Sequence, residues 1–169
     1  MKIAVVGAGI FGVTIALKLD KFHDVTLYES SRDIMTAASR TNQLRLHRGY
    51  HYPRSPETVD ALLKSIDFFV EDYKDAVVSS YNHYYCIAKE NSKVSPDQYI
   101  EFCDSFNLEY RIIEDFRHVN NDKISLTVQV KEDLLDYQAV YNICWRRIMK
   151  SNIKKLWGTK FTSKDFENF

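Results

Sequence analysis

Apolar residues change their spacing several times along this chain, and each change predicts an element. Lys2–Val6 reads KIAVV, a short β-branched apolar run that predicts a buried strand of a parallel sheet. From Gly12 to Asp20 the apolar positions are Val13, Ile15, Ala16, Leu17 and Leu19, which predict a helix packed closely on that sheet. The stretch HDVTLYES predicts a second strand, ending at Glu29. Strand, turn, helix and strand together occupy about 30 residues, the usual size of a βαβ crossover.

Between Ser30 and Tyr52 the pattern turns irregular and polar: SSRDIMTAASRTNQLRLHRGYHY. Regularity returns in RSPETVDALLKSIDFFVEDYKDAV, where Val59, Leu62, Leu63, Ile66, Phe69, Val70 and Tyr73 form a stripe at helical spacing. Ser55 is placed to cap this helix, Pro56 suits its first position, and Glu57 complements the dipole. YNHYYCIAK predicts a strand, SPDQYIEFCDSF a helix with the same Ser-Pro start, and EYRIIE and KISLTVQV two more strands. DYQAVYNICWRRIMKS predicts a helix and IKKLWGTKFTS a final strand that returns toward the first sheet. The predicted class is α/β. A Rossmann-like βαβ unit, residues 1–54 and about 131–169, is interrupted by an inserted α+β portion over about 55–130.

Composition narrows the function without naming it. The chain has 169 residues, 45% hydrophobic and 27% charged, which is a globular balance. Its 23 Lys and Arg match its 23 Asp and Glu, so no net charge draws it to nucleic acid. No apolar stretch approaches the roughly 20 residues of a membrane span, and the first apolar run is too short for a secretory segment. Cys86, Cys103 and Cys144 are widely spaced and lack a CxxC pair, as expected of free thiols in a reducing, cytoplasmic setting. The histidines and cysteines have no metal-ligand spacing, so no metal is expected. No GxSxG elbow or GK[ST] phosphate loop occurs.

The first turn carries the chemistry. In GAGIFG, Gly7 permits a tight turn, Gly9 lets the backbone approach a pyrophosphate, and Gly12 allows close helix–strand packing. Phosphates then meet backbone N–H groups at a helix N-terminus, contributed by Gly7, Ala8, Gly9, Ile10, Phe11 and Gly12. Glu29 ends the next strand 22 positions after Gly7, close to the spacing of a carboxylate that binds adenosine ribose hydroxyls. An acid there disfavours a 2′-phosphate, which leaves NAD or FAD as the dinucleotide.

The segment after Glu29 separates these two. VVGAGIFGVTIALKL and VTLYE, followed by AASRTNQLRLHRGYHY, resemble the flavoproteins of the D-amino-acid-oxidase superfamily. That group includes glycine and sarcosine oxidases, L-2-hydroxyglutarate oxidases and glycerol-3-phosphate dehydrogenases. Its members place a Ser/Thr/Asn stretch and then an L-x-H-x-G-x-x-Y-like run at this distance from the acid. The resemblance implies FAD in a glutathione-reductase-2-like fold. It implies that Ser39, Arg40, Thr41 and Asn42 reach the pyrophosphate and ribityl chain, and that the following segment runs beside the isoalloxazine ring. It also implies that backbone near Phe161 meets the adenine. His47 and His51, in the densest cluster of functional side chains with Arg45, Arg48, Tyr50 and Tyr52, are the flavin-proximal candidates. Either could stabilise an anionic reduced flavin or handle a substrate proton, and arginine could hold a substrate carboxylate.

Members of that superfamily run to well over twice this length, so the chain reads as an N-terminal part, incomplete at the C-terminus. Its expected function is oxidation of an amine, amino acid or α-hydroxy acid by hydride transfer to flavin N5. A flavoenzyme of sugars or sugar nucleotides and a non-catalytic dinucleotide-binding or assembly module are the alternatives. The partners expected are a small-molecule substrate and either a second copy, in a homo-oligomer, or a missing C-terminal half.

Overall fold

The computed structural model describes residues 1–168. In chain order its strands and helices are β1 (Lys2–Val6), α1 (Ile10–Leu19), β2 (Asp24–Glu29), α2 (Ala38–Thr41), β3 (Arg45–Leu46), α3 (Pro56–Tyr73), β4 (Val77–Val78), β5 (His83–Ala88), α4 (Pro96–Ser105), β6 (Tyr110–Ile112), β7 (Ile124–Val130), β8 (Asp133–Leu135), α5 (Tyr137–Lys150) and β9 (Lys154–Trp157). They divide into two compact units. One is Met1–Gln43 with the stretch from Tyr137 onward, and the other is Leu44–Asp136. Residues 44–54 and 131–136 pack in the second unit. There β3 pairs with β8 and Tyr50 joins the core.

The first unit is built on a parallel sheet of order β1-β2-β9. Lys2 to Val6 pair in register with Asp24 to Tyr28, and Thr26 to Glu29 with Lys154 to Trp157. The last strand therefore does return to the first sheet. Val13 and Ala16 of α1 and Cys144 and Ile148 of α5 are fully buried, and the two helices pack on each other. Of these, Val13 and Ile148 each contribute about 1.5–3 kcal/mol by leaving water. The expectation of a fully buried β1 is corrected. Among the described residues no strand pairs with its outer edge, and Val6 is 60% exposed.

The second unit holds two antiparallel sheets, β3-β8-β4 and β5-β7-β6. Its core gathers Tyr50, Val59, Tyr99, Phe102, Cys103, Leu108, Leu126, Val128 and Val130. The apolar stripe of α3 faces inward through Val59, Ile66 and Tyr73. α4 is fastened by a capping box, with Ser95 Oγ accepting the Gln98 N–H and Gln98 Oε1 accepting the Ser95 N–H. At the start of α3 the expectation is only half met. Ser55 occupies the cap position, but its hydroxyl is bonded to Thr58 Oγ1 at 2.7 Å and caps no N–H.

Candidate functional site

The glycine turn follows directly from the β1/β2 ladder. Gly7, at φ +95°, donates its N–H to the Tyr28 carbonyl at 2.8 Å, and the chain then reverses into α1. A side chain on Gly12 would run into the Gly7 carbonyl oxygen, so the helix sits against the turn only because Gly12 has none. Gly9 is the N-cap of α1 with ordinary backbone angles, and a Cβ there would lie 3.1 Å from Ser39 Oγ. The open space over Gly9 is thus bounded by Ser39, whose Oγ accepts the Ile10 N–H at 3.0 Å.

Glu29 closes the other side. Its Oε2 accepts the Ala8 N–H at 2.7 Å and its Oε1 the Ser31 N–H at 2.7 Å, with the Ser30 hydroxyl donating at 3.2 Å. Burial pushes this carboxyl up, but the Ser31 and Ala8 N–H donors outweigh it and hold the group below its ordinary value of 4.5. It is ionised at neutral pH and keeps lone pairs for further donors. The loop is braced from beneath, since Met35, at φ 57°, donates its N–H to the Ala8 carbonyl. After β9, Gly158 and Thr159 donate N–H groups to Ser31 and Glu29 carbonyls, and Phe161 packs edge-on to Tyr28 at 5.0 Å.

The structure therefore brings Gly7, Ala8, Gly9, Ile10, Gly12, Glu29 and Ser39 together, with Phe161 one residue removed behind Tyr28. Phe11 is 82% exposed on α1. Arg40 and Thr41 are exposed on α2, and Asn42 is exposed at its end. A pyrophosphate needs helix N-terminal N–H groups with no side chain in front of them, and a ribose needs an acceptor for its hydroxyls. α1 with Gly9 offers the first and Glu29 the second, so these residues fit the adenosine half of FAD.

The histidine segment belongs to the second unit. Gly49, at φ +106°, turns it tightly against Val59. Tyr50, in the same stretch, is a core anchor. It is 2% exposed, donates its hydroxyl to the Glu109 carbonyl and receives the Tyr99 hydroxyl on its own carbonyl. His47 and His51 face each other, ring centroids 5.7 Å apart, with Tyr52 edge-on to both. His51 is exposed and His47 half-buried. Arg45 lies over the Tyr85 ring at 5.3 Å, and Arg48 pairs with Asp133 at 3.6 Å.

Sequence reasoning missed the group at the centre of this cluster, Glu132. It links β7 to β8, so the pairing of β3 with β8 and of β5 with β7 brings Arg45, His47, Arg48 and Tyr85 around it. The only sequence signal is an acid between two short apolar runs, which reads as a surface turn. His83 is buried with Nε2 unbonded, and burial together with the Arg45 charge holds it below its ordinary value of 6.5. Among the described residues no group of three acidic, histidine or cysteine side chains could hold a metal ion.

With the turn, the acid and the fold in place, the comparisons decide the family. Residues 2–114 match the DAO family of FAD-dependent oxidoreductases, well over half of the chain. The chain belongs to that family. FAD is its cofactor, and the α/β fold with an FAD-binding Rossmann-like unit is the fold of DAO-type flavoproteins. This DAO-family chain is 37% identical over 109 residues to the FAD-dependent monooxygenase kojA of Aspergillus flavus, a match covering 61% of this chain and 26% of the relative. The probable FAD-dependent monooxygenase kojA of Aspergillus oryzae matches equally.

In fold it is similar to L-alpha-glycerophosphate oxidase from Mycoplasma pneumoniae, solved with FAD bound. There the TM-score is 0.74 at 14% identity, over 94% of this chain and 45% of that one. Glycine oxidase from Geobacillus kaustophilus gives a TM-score of 0.72 at 13% identity, over 93% and 46%. The chain thus spans about a quarter of the curated relatives it matches and under half of these solved structures. No helix among the described residues is long and apolar enough to cross a membrane.

Proposed function

We propose that the Gly7–Gly12 turn, Glu29 and Ser39 hold the adenosine and pyrophosphate portions of FAD, and that the protein oxidises an amine, an amino acid or an α-hydroxy acid. The observation that carries this reading is the fastening of the turn on both sides, by Ala8 N–H to Glu29 and by Ile10 N–H to Ser39. Fastened so, the remaining N–H groups of the first turn of α1 are fixed in advance toward an anion, and binding orders little. Glu29 accepts the ribose hydroxyls. Arg40, Thr41 and Asn42 supply exposed donors for the middle of the cofactor, and the backbone near Phe161 lines the adenine.

The chemistry FAD supplies when bound is acceptance of a hydride at N5 from the carbon bearing the amine or hydroxyl, with onward transfer to oxygen or another acceptor. In this reading His47 and His51 are the cofactor-proximal residues. A neutral imidazole takes the substrate N–H or O–H proton, and an imidazolium stabilises negative charge beside it. Among the described residues Cys86, Cys103 and Cys144 form no disulfide, which suits a reducing cytoplasm. A small molecule is the substrate, and the open edge of β1 suits a further strand of the same protein or of a second copy.

Anaerobic mixing of the FAD-loaded protein with panels of amines, amino acids and α-hydroxy acids tests the substrate class. Loss of the long-wavelength flavin absorbance with one of these classes supports the reading. A second reading, oxygen insertion, is favoured by the monooxygenase function of the Aspergillus relatives. It predicts that none of the panels bleaches the flavin and that a reduced nicotinamide nucleotide does.

A further inference from the structure

Among the described residues, Glu132 is the one buried acid, and its side chain has no exposure at all. A carboxylate placed so deep is costly unless each oxygen is engaged. Oε1 accepts the Arg48 N–H at 3.1 Å and lies 3.5 Å from His47 Nδ1. Oε2 accepts the Tyr85 hydroxyl at 3.0 Å and lies 3.7 Å from Arg45 Nη1. His47 shows a complementary asymmetry. Its Nδ1 is buried with no hydrogen bond of ordinary length, while the side chain as a whole is 28% exposed, so the accessible part of the ring lies away from Nδ1.

A carboxylate can only accept, and a bare Nδ1 lone pair turned toward it would set two acceptors against each other. The arrangement is free of that conflict only when Nδ1 carries a proton. We infer that Glu132 is a positioning residue for His47: its carboxylate fixes the imidazole with a proton on Nδ1 and leaves Nε2 as the accessible nitrogen with a free lone pair. The other groups around the pair agree. The Arg45 guanidinium and the Tyr85 hydroxyl hold the second carboxylate oxygen, so Glu132 cannot rotate away without leaving them unpaired. Arg48 turns its own side chain to Asp133 and contributes only its backbone N–H. Burial pushes the Glu132 carboxyl up, but the His47 contact, the Arg48 N–H and the Tyr85 hydroxyl outweigh it, and the group stays ionised. Its catalytic consequence, a proton acceptor at Nε2 of His47, rests on the function proposed above, whereas the tautomer itself does not.

Nitrogen NMR of the FAD-loaded, 15N-labelled protein reads the tautomer without any turnover. The His47 signals are assigned by their disappearance in His47→Gln. At a pH where the ring is neutral, the expected result is a protonated Nδ1 and an unprotonated Nε2 on His47. In Glu132→Gln, whose amide can donate to Nδ1, the His47 signals should move toward the Nε2-protonated form, and Glu132→Asp should restore part of the original pattern. A wild-type His47 protonated on Nε2, or a pattern unchanged in Glu132→Gln, overturns the inference. The wild-type spectrum decides even if Glu132→Gln does not fold. If the tautomer is as expected but His47→Gln leaves anaerobic flavin reduction intact, Glu132 still positions His47, and the catalytic reading of His47 is what fails.

Discussion

Gly9 and Gly12 look alike in sequence and do opposite work. At Gly12 a Cβ would meet the Gly7 backbone carbonyl, which cannot move without dismantling the turn. At Gly9 the neighbour is the Ser39 hydroxyl at 3.1 Å, the end of a small side chain that can give by a few tenths of an ångström. Gly12→Ala is therefore expected to destabilise the protein by about 3 kcal/mol or more, since backbone cannot relax as a packed side chain does. Gly9→Ala should fold with near wild-type stability yet weaken FAD by about 100-fold, roughly 2.8 kcal/mol, because the methyl fills the space a phosphate needs. Urea titration of both variants beside FAD titration of the folded one separates the two roles. Equal stability of the two variants would contradict the packing assignment of Gly12.

Elements show where the sequence was legible and where it was not. β1, α1 and β2 are readable because a closely packed βαβ unit writes its periods into contiguous residues, and α3, α4 and α5 because each buries one face at helical spacing. The strands β3, β4 and β8 were unreadable, since two or three residues cannot display a period of two. The exposure of β1 was equally invisible, because an edge strand and a central strand can carry the same apolar run. The glycine turn and Glu29 could be matched by spacing within one unit. Glu132 lies 84 residues from Arg48, and only the pairing of β3 with β8 makes them neighbours.

The two Ser-Pro helix starts, identical in pattern, differ in the same way. Ser95→Ala, which breaks a real capping box, is expected to cost about 1 kcal/mol. Ser55→Ala, which removes only a hydroxyl contact with Thr58, should cost no more than about 0.5 kcal/mol, as for an ordinary surface change. Urea midpoints compare them, and a Ser55 cost equal to that of Ser95 would show that Ser55 caps after all.

For the whole molecule, the three groups held low, His83, Glu29 and Glu132, all weaken the fold on acidification. His83 is held below its ordinary 6.5, so on acidification the unfolded chain binds that proton first, and stability falls as pH drops below 6.5 toward the folded value. Glu29 and Glu132 are held below 4.5, so the stability they contribute is present above that value and is lost as pH falls through their lower folded values. Urea midpoints from about pH 8 to about pH 2 should decline in two limbs, the lower one beginning below about pH 4.5. The upper limb should vanish in His83→Gln while the lower persists. A midpoint that rises between pH 7 and pH 6 would contradict a buried neutral His83.

At the same scale lies the claim on which the functional reading depends, that the turn, Glu29 and Ser39 together form the grip on FAD. The most direct measurement is the visible absorbance of the purified protein before and after denaturation and filtration, repeated after addition of FAD or NADH, for the wild type and for Gly9→Val. A two-band flavin spectrum in the wild type, acquired natively or on adding FAD and absent from a folded Gly9→Val, is the predicted result. Wild-type protein that takes up NADH and not FAD, or a Gly9→Val protein that holds FAD as well as the wild type does, would contradict it.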